Sequence, residues 1–187
     1  MAHVKVVRRS MRPEEWTDLR FVWLQRGIYE EKFEITDLEI RDARQISEDQ
    51  YEYYSDEYRP LKKDDMYFTP DGTAFIRGHV QIPAHMKGKN IYFTLHTAAE
   101  MIVKINGKYV GGVDPNRERI LLNPYIDSDD LTIEIEAYNR SKPDDERNPA
   151  SLAHRGCRQI FEGAYLSTIR DNVQSLVYDY ILFMDIA

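Results

Sequence analysis

Five histidines, one cysteine and 32 acidic residues are the groups in this 187-residue chain that could bind a metal or move a proton. Either task requires several of them at one place. His3, His79, His85, His96 and His154 form no H-x-H, H-E-x-x-H or H-x-D spacing, and a lone Cys157 excludes C-x-x-C. Cys157 can form no intrachain disulfide, and without an activating partner it reads as a small buried hydrophobe. His79 and His96 lie in stretches with the alternation of strands and read as strand residues rather than ligands. No G-x-S-x-G elbow, Walker loop or G-x-G-x-x-G turn is present.

Carboxylates are the remaining currency, since glycoside hydrolysis needs two of them across a sugar. Most acids on a soluble chain are solvated surface, so context has to select among them. Glu100 precedes the apolar run "MIVKI", and Asp114 closes "INGKYVGGVD". A hairpin with a long loop would carry both to one edge, with Arg117 three residues on and Asn106 in the turn. Asp114, Glu100, Arg117 and Asn106 are therefore the candidates for a substrate-facing or domain-facing site. The competing reading of Asp114 is a turn acid that bonds its own backbone. Asn106-Gly107 itself has a sufficient structural account, because a two-residue type I′ turn demands positive φ at both positions.

The elements that must position these groups follow from the hydrophobic pattern. From about residue 10 to 62 the chain is polar and charged. "SMRPEEWTDLRFVWLQRGIYEEKF" spaces Trp16, Leu19, Val22, Trp23 and Arg26 by three and four, predicting an amphipathic helix with start signals at Ser10 and Pro13. "SEDQYEYYSDEYRP" is acidic and rich in tyrosine, and reads either as a solvated loop or peripheral helix or as a platform on which sugars stack. From about 66 to 138 the period becomes two. "TAFIRGHVQIP", "NIYFTLHT", "EMIVKINGKYV", "RERILLNP" and "LTIEIEAY" read as short strands, the last with Leu131, Ile133, Ile135 and Ala137 on one face. Gly78 interrupts the first of them. After a turn-rich loop, "CRQIFEGAYLSTI" reads as one or two further strands. "NVQSLVYDYILFMDIA" then carries a helical stripe of Val173, Leu176, Val177, Tyr180, Ile181 and Met184, with Asp171 as its cap and Gln174 in the capping-box position. The apolar stripe running to Ala187 predicts a helix that continues toward another domain.

The balance of charge excludes other classes of function. The formal charge of −7, with no basic stripe, disfavours nucleic acid. The N-terminal "MAHVKVVRRS" lacks the apolar core of a signal peptide and no apolar stretch is long enough to span a membrane, so a soluble cytoplasmic location is expected. No βαβ pattern occurs, and closely spaced strands bounded by Gly, Pro, Asn and Asp point to an antiparallel β-sandwich.

In order, these pieces resemble the N-terminal domain of glycoside hydrolase family 38 α-mannosidases. "TAFIRGHVQIP" is similar to the family's W-F-R…I-P strand, although Ala74-Phe75-Ile76-Arg77 departs from its aromatic-F-R pattern. "EMIVKINGKYVGGVDPNRERILL" is similar to its E-x-x-V-x-V-N-G hairpin and following G-x-D…R-x-E-I-x-L loop. "LTIEIEAY" matches a later strand, and "FEGAYLSTIRDNVQSLVYDYILFMDIA" resembles the strand leading into its linker helix. The likeness covers about residues 60 to 187. It implies a mostly β fold, a jelly-roll or galactose-binding-domain-like sandwich. Residues 1–62 would then be a helical and loop arm, 63–170 the sandwich, and 171–187 the start of a linker helix. It also implies a zinc-dependent catalytic domain elsewhere, opened by an H-x-D motif this chain lacks, so that the segment alone is expected to be inactive and to hold no cofactor. Expected partners are that catalytic domain, α-mannoside oligosaccharides and a second copy in a homo-oligomer. Two other readings stand beside this: a self-sufficient carbohydrate-binding module using Trp16, Trp23 and the tyrosines of 51–58, and a protein-interaction domain docking through its terminal helix.

Overall fold

The computed structural model describes residues 21, 23–65, 72–96, 99–114, 117–138 and 161–186. The chain divides into two compact units, Lys32–Thr168 and, from its two ends, Met1–Glu31 with Ile169–Ala187.

Among the described residues eleven strands form two sheets. In chain order they are β1 (Tyr29–Ile35), β2 (Asp37–Ser47), β3 (Gln50–Tyr53), β4 (Arg59–Pro60), β5 (Thr73–Gln81), β6 (Tyr92–Leu95), β7 (Glu100–Ile105), β8 (Lys108–Val113), β9 (Arg119–Leu121), β10 (Asp130–Tyr138) and β11 (Ala164–Ile169). The larger sheet runs β3-β2-β5-β10-β7-β8, with β4 also on β2, and the smaller runs β1-β11-β6-β9. From β5 onward the chain passes back and forth between the sheets, so each supplies one wall of a common core. Ile40, Ile76, Val103, Ile133 and Ile135 from the large sheet pack in one buried cluster with Phe93, Leu95 and Leu166 from the small one. The expected antiparallel β-sandwich is what the chain forms.

The period-two segments behave as the pattern demands. Along β10, Leu131, Ile133, Ile135 and Ala137 are buried while Thr132, Glu134 and Tyr138 face out. β10 lies antiparallel between β5 and β7, pairing Ile135 with both Ile76 and Val103. Gly78 falls on the inward face of β5, opposite Leu38 and Ile133. A Cβ there would come within 2.4 Å of both the Asp37 carbonyl oxygen and Leu38 Cδ2. Only glycine allows β2 to lie so close to β5.

The β7–β8 hairpin turns at Asn106 (φ 50°) and Gly107 (φ 73°), the two positive φ values that a type I′ turn requires. Beyond it the register slips by one residue: Val103 pairs with Gly111, but Lys104 pairs with Tyr109. Val110 is the extra residue of this β-bulge, and Gly111 absorbs it at φ 148°. The Gly-Gly pair thus serves strand geometry.

Two expectations are corrected. Residues 29–60, read as helix and loop, form β1 to β4, and the sandwich therefore begins far upstream of residue 63. The inward positions of β2, Leu38 and Ile40, alternate with Glu39 and Arg41, and the charged face conceals a strand that is buried on one side only. The 51–58 segment is accordingly strand β3 and the loop after it, rather than a peripheral helix.

In the second unit residues 23–27 are helical and α1 spans Asp171–Ile186. Its cap is not Asp171: the Arg170 carbonyl accepts from the amides of Val173 and Gln174, both at 3.0 Å. Asp171 is the first helical residue, where its charge favours the helix dipole. Gln174 does not turn back to complete a capping box but donates to the Tyr178 hydroxyl at 3.0 Å. The Arg170 guanidinium binds the carbonyls of Gly27 (2.8 Å) and Tyr29 (2.6 Å), and Phe21 stacks on Tyr180 at 5.3 Å. Of the expected stripe Val177 is buried, yet Leu176 and Ile181 are exposed, as are Leu182 and Phe183, which lie outside that stripe. Trp16, Leu19, Val22, His3, His154 and Cys157 lie outside the described residues.

Candidate functional site

Asp114 and Arg117 do come together. The amide of each residue bonds the carbonyl of the other, at 3.1 and 3.0 Å, and Asp114 Oδ1 accepts from the Arg117 amide at 3.0 Å. Arg117 Nε reaches Asp114 Oδ2 at 3.1 Å. This is an Asp closing its own turn and clasping the arginine three residues on. Glu100 lies beside it, because the β7–β8 register that pairs Met101 with Val113 puts Glu100 next to Asp114. Asn106 is occupied by the hairpin: its Oδ1 accepts from the Thr132 amide (2.8 Å) and hydroxyl (3.1 Å), tying the turn to β10. Asp114, Arg117 and Asn106 thus hold the hairpin and its following turn, while Glu100 opens β7.

A polar row crosses the small sheet. Lys32 on β1 lies 5.3 Å above the Tyr165 ring on β11 and 3.2 Å from His96 Nε2, while His96 Nδ1 is 2.6 Å from Glu118. Burial holds the Lys32 ammonium below its usual value; Glu118 opposes this, and Arg119 and Lys63 reinforce it. Beneath the row a buried pair, Thr94 and Ser167, bonds at 2.7 Å. The Glu118–His96–Lys32 line links the middle of β1 to the end of β6 and the start of β9.

Near the β1–β2 turn and the end of β5 an open cleft of about 510 Å³ is lined by Phe33, Glu34, Asp37, His79 and Lys87, among others. Its basic side chains are already matched: His79 lies 2.5 Å from Asp130, and Lys87 bonds Asp129. Among the described residues no three His, Cys, Asp or Glu side chains form a metal-binding group, and no helix is long and apolar enough to cross a membrane.

The most developed surface lies on the outer face of the large sheet. Strand register places Arg41, Phe75 and Glu136 in one row and Glu39, Arg77 and Glu134 in the next. Tyr51 of β3 sets its ring edge-on to Phe75 at 4.9 Å and donates its hydroxyl to Glu136. That bond, with burial and the nearby negative charge, pushes the Tyr51 phenol up to about 12. The Arg41 guanidinium lies 3.6 Å from the Tyr53 ring centre and 4.8 Å from that of Tyr58, which also covers Arg77 at 4.0 Å. Arg77 is held by Glu39 at 2.8 Å, and Arg59 by Asp42 at 3.1 Å. Tyrosines and arginines therefore interleave over several strands. The "QYEYYSDEY" composition suggested the aromatic half of this surface; Arg41 was missed, because its partners at 53 and 58 meet it only through strand pairing.

Comparison with known proteins finds no matching family model and no matching curated protein. Solved structures do match. A β-D-glucuronidase of Dictyoglomus thermophilum aligns at 18% identity and TM-score 0.37, over 59% of this chain and 21% of its own. A calcium-binding mutant of Bacteroides uniformis β-glucuronidase 2 aligns at 20% and 0.44, over 73% of this chain and 18% of its own. A glycosyl hydrolase family 2 member from Bacteroides cellulosilyticus aligns at 16% and 0.42, over 74% of this chain and 20% of its own. This chain spans about a fifth of the length of each. All three are glycoside hydrolases by name, and none is an α-mannosidase. Likeness of this degree bears on neither substrate nor reaction.

Proposed function

We propose that this chain is a non-catalytic accessory domain of a glycoside hydrolase, a β-sandwich that packs on a catalytic domain through its terminal helix. The observation that carries the docking half of this reading is α1. On it Leu176, Tyr178, Leu182 and Phe183 are each more than half exposed, at 53, 58, 58 and 70%. Such a concentration of large apolar side chains on one short helix is the signature of a surface that is covered in the working protein. The glycosidase half is supported by the motif series quoted above, which falls on β5, the β7–β8 hairpin, β9, β10 and the β11–α1 junction. The finer reading, an accessory domain of a zinc-dependent family 38 α-mannosidase acting on α-mannosides in the cytoplasm, rests on the order of those motifs alone.

The docking half is tested by changing Leu182 and Phe183 to Glu. Both side chains are exposed, so the unfolding free energy should change by less than ~0.5 kcal/mol. Association with the catalytic module, followed by sedimentation, should be lost. Undiminished association would refute docking through this helix.

A further inference from the structure

We propose that the outer face of the large sheet around Arg41 is a binding site for an acidic sugar, a pyranose carrying a carboxylate. The inference rests on the glycosidase-associated reading for its choice of a saccharide, and on Arg41 for its choice of charge.

Arg41 is the group this surface leaves unsatisfied. Its Nε is buried without a hydrogen-bond partner, and Arg41 makes no ion pair among the described residues. Buried polar groups are nearly always paired, so an orphan guanidinium nitrogen calls for an explanation. The acids around it are already engaged: Asp42 with Arg59, Glu39 with Arg77 and Glu136 with Tyr51. In a chain of net charge −7 an arginine without an acid is a local exception. The rings of Tyr53 and Tyr58 hold the guanidinium in place and leave its outer nitrogens to meet a ligand. A carboxylate supplies two coplanar acceptor oxygens, which suit the planar guanidinium fork.

The surroundings favour a sugar over a bare anion. Tyr53 is 39% and its neighbour Tyr54 57% exposed, and Phe75 and Tyr51 continue the aromatic surface inward. Aromatic faces take the C–H face of a pyranose, and tyrosine hydroxyls and carboxylates beside them bond its hydroxyls. A neutral sugar would use the rings and leave Arg41 unpaired. An acidic peptide would use Arg41 and leave the rings idle. The uronate uses both.

The test is an amide NMR titration of the full 187-residue chain with trigalacturonate, a neutral galactose trisaccharide of the same length, and an Asp/Glu tripeptide at matched ionic strength. Trigalacturonate should give saturable shifts around Arg41, Tyr53 and Tyr58, at least ten-fold tighter than either other probe and weakened by added salt. Arg41→Ala should lower its affinity ten-fold or more, Arg41→Lys should restore only part of it, and Tyr54→Ala at the exposed rim should weaken it with the fold intact. Equal binding of the neutral trisaccharide or the peptide, affinity untouched by both Arg41 variants, or flat titrations with all three probes would each overturn the site. Those outcomes leave the accessory-domain reading to its own hydrolysis and association assays.

Discussion

Replacing Gly78 with alanine places a single methyl where β2 and β5 are in contact, and its cost can be worked from the geometry. The new Cβ would stand 2.4 Å from the Asp37 carbonyl oxygen and 2.4 Å from Leu38 Cδ2, where ordinary contact begins at 3.4 Å. Relief requires about 1 Å of movement. Leu38 is 3% exposed and has no space to retreat, and the carbonyl belongs to the neighbouring backbone. Overpacking of this kind costs about 1–3 kcal/mol. Displacing β2 also weakens roughly two ladder hydrogen bonds, at about 1 kcal/mol each. The smaller conformational freedom of alanine in the unfolded chain returns about 0.4–1 kcal/mol. The net expectation is a loss of about 2–4 kcal/mol, read as a fall in the urea midpoint at constant slope. Gly107→Ala is the control: it has nothing within 4 Å but sits at φ 73°, so only backbone strain of about 1–2 kcal/mol opposes it. Adding Leu38→Ala to Gly78→Ala removes one of the two clashes, and the double variant should lose less than the sum of the two single losses. A Gly78→Ala protein no less stable than Gly107→Ala would refute the reasoning.

Other expectations follow from the same structure. Phe93 is fully buried between the sheets, and Phe93→Ala should cost about 3–5 kcal/mol in chemical unfolding. Asn106→Ala removes the two bonds from Thr132 and a residue tolerant of positive φ, for a loss of about 1–2 kcal/mol by the same measurement. Asp114→Asn should change stability by less than ~1 kcal/mol, because its pairing with Arg117 is largely exposed to solvent. Tyr51 is pushed above its unfolded value of 10.0 to about 12, so its folded form holds its proton more tightly. The stability this adds is complete below pH 10 and disappears as the pH rises through about 12. Tyr51→Phe should flatten the stability profile in that window.

What was legible in the sequence was whatever local alternation or turn chemistry dictates. β10 alternates strictly, and β5 does so apart from Gly78, because both are central strands with one face on the core, and Asn-Gly announces its turn through the φ values it permits. β1 and β2 escaped because their apolar residues are few: inward Leu38 and Ile40 are outnumbered by charges that the fold neutralises with Arg77 and Arg59, far along the chain. The helix start was misplaced by one residue, since the amides chose the Arg170 carbonyl over an Asp171 side-chain cap. Asp114 and Arg117 stood among the candidates for a substrate-facing or domain-facing site, and their geometry spends them on a turn. Arg41 could not have been singled out, because nothing local links it to Tyr53 and Tyr58.

Hydrolysis by the folded chain tests the central claim most directly. The 187-residue chain is assayed with aryl α-mannosides and aryl β-glucuronides, with and without added zinc, once circular dichroism and a cooperative unfolding transition establish that it is folded and rich in β structure. An accessory domain predicts no turnover above the protein-free blank under any of these conditions. Saturable release of the aryl group by the isolated chain would contradict it.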